Sequence, residues 1–154
     1  WKDARMEALE SVKRDAKIKA YGYDIDPQAV ELTMANAKKA GVSAHIRTKV
    51  QNISQLSLPP GRAIVICNPP YGERLEEKAA LPQLYREIGE SYRGLDKWSM
   101  YLITSYDKAE NDIGRKADKN RKIYNGMLKT YFYQFLGPKP PRRAAQEKKE
   151  GTDK

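Results

Sequence analysis

The 154-residue sequence predicts an α/β fold, a doubly wound sheet of mainly parallel strands that ends in an antiparallel hairpin. Three observations predict it. Short apolar runs alternate with amphipathic segments of helical period. The most apolar run, RAIVIC at 62–67, lacks polar alternation, as expected of a strand covered on both faces. Near the C-terminus, two further runs flank Asn125-Gly126, a strong hairpin signal.

Taken in order, residues 3–16 place Ala4, Ala8, Val12 and Ala16 on one helix face beside Leu9. Residues 18–24 (IKAYGYD) predict a short strand. Asp26 then caps a helix whose first position is Pro27, where a missing N–H does no harm. Val30, Thr33, Met34 and Ala37 form its expected buried stripe, and Gly41 ends it. Strands are predicted at 44–50 and 62–67, a helix near 81–93, a strand at 98–104 and a short helix near 106–113. The hairpin arms are 122–124 and 127–136.

Charge is unevenly spread. Lys and Arg number 29 against 20 Asp and Glu, a net +9 that suggests a polyanionic partner. Residues 115–154 hold 12 basic and 4 acidic residues, so +8 of the surplus sits in the last quarter. Its final part, 138–154, has three prolines and no apolar side chain larger than alanine, and is expected to be a disordered basic tail after a domain at 1–137. The single cysteine, Cys67, cannot form an internal disulfide, which favours a reducing, cytoplasmic setting. No apolar run approaches the roughly 20 residues that span a bilayer, and no membrane partner is expected. His45 has no second histidine or cysteine ligand nearby, so no metal site is expected. The first residue is Trp1, which leads us to expect a piece of a longer protein.

In doubly wound sheets, ligands sit at the carboxyl ends of the strands. Three such ends carry polar residues: Asp24, the Gln51-Asn52 pair, and the run that starts at Asn68. The sharpest is Asn68-Pro69-Pro70-Tyr71. Two prolines stiffen the backbone and remove two donors. The Asn68 side-chain oxygen and the Pro69 carbonyl then form a pair of acceptors for a planar amine, and the Tyr71 ring can stack on the base that carries it. Two acceptors localise the amine's lone pair, so that it can attack a sulfonium methyl without a strong base. Asp24 suits ribose hydroxyls of a nucleotide-like cofactor, and Asn52 its adenine amine. Cys67 reads as inert core, and Tyr131, Phe132, Tyr133 and Phe135 read as sheet packing.

The pair GYDIDPQAV and NPPYGERL resembles class I S-adenosylmethionine-dependent methyltransferases that act on amines. NPPYGERL followed by ADKNRKIYNG resembles more particularly the bacterial 23S rRNA guanine-N2 methyltransferases, which carry an RNA-binding THUMP domain ahead of the catalytic domain. The resemblance covers about residues 1–137 and implies a Rossmann-like methyltransferase sheet. It implies S-adenosyl-L-methionine as cofactor, held by Asp24, Asn52 and Asn68. Asn68, Pro69 and Tyr71 would be the catalytic residues. Pro70, Tyr71, Arg74, Lys122 and Asn125 would face the substrate, RNA and in particular 23S rRNA. That family's first strand and glycine-rich loop have no counterpart in this chain, so a partial catalytic domain, inactive alone, is expected, with the THUMP domain and first strand in an amino-terminal part. Two alternatives are a DNA adenine-N6 methyltransferase, which shares the amine-holding chemistry, and a non-catalytic RNA-binding fragment.

Overall fold

The structure, a computed structural model, describes residues 1–12, 19–56, 61–72, 75–94 and 97–139. The chain divides into two compact units, residues 1–56 and 57–154. None of the described helices is long and apolar enough to cross a membrane.

The first unit begins with α1 (Lys2–Glu10), which Ser11 ends by directing both its main-chain N–H and its hydroxyl to the Glu7 carbonyl. The predicted continuation to residue 16 runs into 13–18, outside the described residues. The Ala4, Ala8 and Val12 face is exposed rather than buried, because two alanines offer little apolar area to draw a nine-residue helix onto a surface. Strand β1 (Ala20–Asp24) pairs in parallel with β2 (Ile46–Val50), linked by α2 (Pro27–Lys39). Of the stripe predicted for α2, Ala37 is buried, Val30 and Met34 are half-buried, and Thr33 is exposed with its hydroxyl bonded back to the Ala29 carbonyl at 2.8 Å. The second strand starts at Ile46 rather than 44, because Ser43–His45 form a 3-10 turn in which the His45 N–H is spent on Val42 O.

The second unit is a four-stranded sheet in the order β3-β4-β6-β5, with β3 (Ala63–Cys67) parallel to β4 (Trp98–Thr104). The remaining strands, β5 (Lys119–Asn125) and β6 (Leu128–Phe135), form the predicted antiparallel hairpin, with β6 against β4. Among the described residues β1 bonds only to β2, and β3 only to β4. The hairpin differs from its prediction by one position. Asn125 pairs with Leu128, so the two loop residues are Gly126 and Met127. Gly126 takes the left-handed conformation (φ +61°) and Met127 does not, the pattern of a turn with glycine at its first central position.

Strand β4 shows why the core lies on one face. Trp98, Met100, Leu102 and Thr104 are buried while the alternate residues are half-exposed. Across the ladder, Tyr133 and Phe135 of β6 share that face. It is covered by α3 (Leu75–Arg93), which buries Leu81, Tyr85, Ile88 and Tyr92 at helical spacing, and by α4 (Ala109–Ile113), which buries Ala109 and Ile113. The sequence predicted α3 only from about 81. Instead the helix begins at Leu75 and runs through Pro82, where one main-chain bond is forgone.

Tyrosine hydroxyls tie α3 to the sheet. Tyr85 bonds the Thr104 hydroxyl, which also accepts the Tyr106 N–H at 3.0 Å, and Tyr92 donates to Trp98 O at 2.7 Å. Burial holds the Tyr85 phenol well above its ordinary pKa of 10.0. The stability drawn from this neutral phenol is therefore complete below pH 10 and is lost as pH rises further, because the unfolded chain ionises first. Thr104→Val should lower stability by about 1–3 kcal/mol in urea unfolding, since it strands a buried phenol, whereas Thr104→Ser should keep most of it.

Candidate functional site

The candidate residues occupy strand ends in both units. In the first, Asp24 closes β1 and the Gln51 N–H bonds its carbonyl at 2.8 Å, so the ends of β1 and β2 are held side by side. Asp24 Oδ1 accepts the Asp26 N–H at 2.9 Å, and Asp26 Oδ1 in turn caps α2 by accepting the Gln28 N–H at 2.8 Å. The Asp24 carboxylate is thereby aimed by one oxygen, while Oδ2 has no partner among the described residues. Asn52 caps the 3-10 turn Ile53–Gln55, its Oδ1 accepting both the main-chain N–H (2.9 Å) and the hydroxyl (3.0 Å) of Ser54. That oxygen was the atom expected to accept an adenine amine. With both its lone pairs engaged, the group left to offer is the amide NH2, a donor.

In the second unit, β3 runs directly into Asn68-Pro69-Pro70-Tyr71-Gly72. Asn68 and Pro70 are exposed, Tyr71 is half-buried, and Pro69 and Gly72 are buried. The Tyr71 hydroxyl donates to Asn68 Oδ1 at 2.7 Å. Sequence reasoning assigned this ring to stacking and missed the bond, which depends on how the prolines fold the loop back on itself. One Asn68 lone pair stays open, and the Pro69 carbonyl accepts no bond among the described residues. Cys67 and Tyr71 add to the upward shift that burial gives the Tyr85 phenol. Burial also pushes the Cys67 thiol up to about 11, so it stays protonated and inert.

Lys122 lies on β5, three strands from Asn68, or about 14 Å across the sheet at the usual strand spacing. It pairs with Tyr131, which pairs with Thr104, the last residue of β4. Lys122 therefore stands at the same end of the sheet as Asn68 without touching it. Arg74 and the side chain of Asn125 lie outside the described residues. A cavity of about 460 Å³ opens elsewhere, between the start of β4 and the ends of α3 and α4. None of the candidate residues lines it, and its Arg115 is engaged by Asp118 at 3.1 Å and by the Tyr92 and Phe135 rings.

A family described as UPF0020, RMKL-like, methyltransferase domain, matches residues 1–134. Over 147 residues the chain is 37% identical to "Putative RNA methyltransferase YpsC" of Bacillus subtilis (strain 168), covering 96% of this chain and 38% of that protein. It is 36% identical to "Ribosomal RNA large subunit methyltransferase K/L" of Shewanella sp. (strain W3-18-1), covering 99% of this chain and 22% of that one. The chain thus spans well under half the length of these relatives. Among solved structures, "a possible methylase from Clostridium difficile 630" superposes with a TM-score of 0.84 at 48% identity, over 93% of this chain and 38% of that one. "SMU.472, a putative methyltransferase complexed with SAH" gives 0.83 at 36% identity, over 91% and 37%. These neighbours share the Rossmann-like methyltransferase architecture that the resemblance implied.

The shape of the Asn68 loop depends on Gly72. Its φ is +75°, and a Cβ there would stand 2.6 Å from Leu81 Cδ1 of α3. Gly72→Ala should cost roughly 1–3 kcal/mol in thermal unfolding, since the left-handed strain and the displaced leucine fall on one residue.

Proposed function

The chain belongs to the UPF0020 family of RMKL-like methyltransferase domains, and from that membership we propose that it forms part of an S-adenosyl-L-methionine-dependent enzyme that methylates an exocyclic base amine, guanine N2 of 23S rRNA, in the cytoplasm. The observation that carries the reading is the Asn-Pro-Pro-Tyr run leaving β3 at the carboxyl end of a parallel pair, with Asn68 exposed and its prolines stiffening the turn. The names of the relatives, one an RNA and one a ribosomal RNA methyltransferase, support RNA as substrate, as does the basic C-terminal quarter. Asn68, Pro69 and Tyr71 act as catalytic residues, while Pro70, Arg74, Lys122 and Asn125 serve the RNA.

When bound, S-adenosyl-L-methionine supplies an electrophilic methyl. The relative complexed with SAH supports that choice, and so do the groups present: an aimed carboxylate at Asp24 for two ribose hydroxyls, and the Asn52 amide for an adenine ring nitrogen. Residues for the methionine half of the cofactor are expected in the longer protein, together with the THUMP domain.

The residues of this chain bind, orient and hold protons. Asn68 Oδ1 and Pro69 O accept the two amine hydrogens, so the amine enters the reaction neutral with its lone pair directed outward. The Tyr71 hydroxyl vacates Asn68 as the amine arrives, and its ring stacks on the base. No general base is required before attack, and solvent takes the proton afterwards.

In the full-length protein, Asn68→Ala should lower methyl transfer about 100-fold or more with cofactor affinity nearly intact by calorimetry. Tyr71→Phe should lower the rate only a few-fold, since it keeps the ring and gives up only the bond that orients Asn68, whereas Tyr71→Ala should lose most of it. Wild-type turnover by Asn68→Ala would remove this strand end from the reaction. Labelled methyl should appear in rRNA as N2-methylguanosine. Label appearing instead in DNA as N6-methyladenine would overturn the choice of substrate.

Asp24→Ala should weaken cofactor binding about tenfold or more, the worth of one charge-assisted bond to a hydroxyl. An unchanged dissociation constant would reduce Asp24 to a turn residue.

A further inference from the structure

The aromatic residues of β6 read from the sequence as sheet packing rather than a base-stacking platform, but the register of the β5–β6 hairpin sets two tyrosines beside two lysines. The ladder pairs Lys122 with Tyr131 and Tyr124 with Lys129, so these four side chains share one face and form a checkerboard of two ammonium groups and two phenol rings. The Lys122 ammonium lies 5.2 Å from the centre of the Tyr124 ring, and the Lys129 ammonium 5.0 Å from that of Tyr131. Lys122, Tyr124 and Lys129 are exposed, Tyr124 at 62%, and Tyr131 is half-buried. Two further rings on this face of β6, Tyr133 and Phe135, are buried, so the change from packing ring to available ring falls within one strand. The reason is length: β4 ends at Thr104, level with the Lys122–Tyr131 pair, and the hairpin continues for three more paired positions beyond it. This extension leaves the sheet at the end where Asn68 stands.

Lysines on an edge strand protect it from pairing with other strands, and that alone would explain them. It would not explain a tyrosine, Tyr124, left exposed between them. An exposed ring offers a flat apolar face, and an ammonium beside it offers a site for phosphate. Nucleic acid with unpaired bases has both complements at once, whereas a duplex hides the faces of its bases inside the stack.

We propose that Lys122, Tyr124, Lys129 and Tyr131 form a platform for single-stranded RNA, on which unpaired nucleotides flanking the target base stack while their phosphates meet the two lysines. The proposal rests on RNA being the substrate. It adds that the target lies in an unpaired or opened segment, which also eases delivery of a base to Asn68. The Lys122 ammonium holds the Tyr124 phenol below its ordinary pKa, in keeping with their proximity.

The test is binding by the full-length protein, without cofactor, read as the fluorescence anisotropy of a labelled single-stranded RNA and of the same strand annealed to its complement. Tyr124→Ala should weaken single-strand binding about tenfold and leave duplex binding unchanged, while Tyr124→Phe and Tyr131→Phe should bind as wild type. Lys122→Ala with Lys129→Ala should weaken both forms and flatten the logarithmic salt dependence of single-strand binding by about 1.4. Tyr124 is exposed, so its truncation does not threaten the fold. Unchanged single-strand affinity in Tyr124→Ala, or an equal loss for both RNA forms, would overturn the platform. So would competition by polyglutamate as strong as that by RNA, which would mark an acidic protein as the partner. Asn68→Ala should bind RNA normally, so failure of the platform is distinguishable from failure of the amine site. A wild-type protein that binds neither RNA form would sink both readings.

Discussion

The position of α3 on its sheet is the constraint from which the second unit's geometry follows. This helix comes directly after the Asn68 loop, and Gly72 lies against its Leu81 and Lys78 side chains. A shift of the helix would carry the loop with it. The helix is held by apolar burial and, more specifically, by hydroxyls: Tyr85 to Thr104 on β4, and Tyr92 to Trp98 O with Phe135 O 3.3 Å away. Apolar packing alone would allow small slides along the sheet. Directed bonds from buried phenols do not, because a phenol that loses its partner there has no water to turn to. Thr104 gains a second role, since its oxygen also accepts the Tyr106 N–H and so fixes where the chain leaves β4 toward α4. Tyr106 extends the connection by bonding Asp112 of α4 at 2.5 Å. One threonine therefore links the sheet and both helices of this unit.

These phenols serve because they are neutral. Burial raises Tyr85 and Tyr92, and burial together with Asp112 pushes Tyr106 up to about 12. In the proposed reaction the chemistry asks for the same quality. An amine held by two uncharged acceptors keeps its hydrogens until transfer, whereas a buried carboxylate or ammonium beside it would shift with pH and bind counterions. The two acceptors in the loop, the Asn68 amide oxygen and the Pro69 carbonyl, carry no charge.

The sequence made the strand ends legible because their signals are local. RAIVIC ahead of two prolines marks a strand end without knowledge of the rest of the chain, as Asp26-Pro27 marks the start of α2. The cover expected on both faces of β3 is not found among the described residues, since Ile64 and Ile66 are exposed. Features that depend on pairing were not legible. The Tyr85–Thr104 bond joins residues 19 apart, and only the packed helix brings them together. The Lys–Tyr checkerboard depends on register, and the Asn-Gly signal read as the loop itself would place Tyr124 opposite a different residue. The structure moves the loop to Gly126-Met127 and sets Tyr124 against Lys129. The start of α3 was missed for another reason. Pro82 has the same local signature whether it opens a helix or interrupts one, and tertiary packing of Leu81 and Tyr85 decided the outcome.

The bond from Tyr71 to Asn68 connects the resting loop to the proposed chemistry. An exposed asparagine at a strand end has several rotamers open to it, and the bond from the Tyr71 hydroxyl favours one of them. A neutral hydrogen bond contributes about 0.5–1.5 kcal/mol net, enough to favour one rotamer several-fold and little enough for an incoming amine to displace. The hydroxyl thus holds the acceptor in its working direction until the base arrives, and exchange costs little because one neutral donor replaces another. Freed from Asn68, the tyrosine keeps its ring on the same rigid turn, where the only use left for it is the face of the base. A serine in its place could occupy the acceptor but could not stack, and a phenylalanine could stack but would leave the acceptor free to turn away. Only tyrosine does both, first as a stand-in for the amine and then as its support.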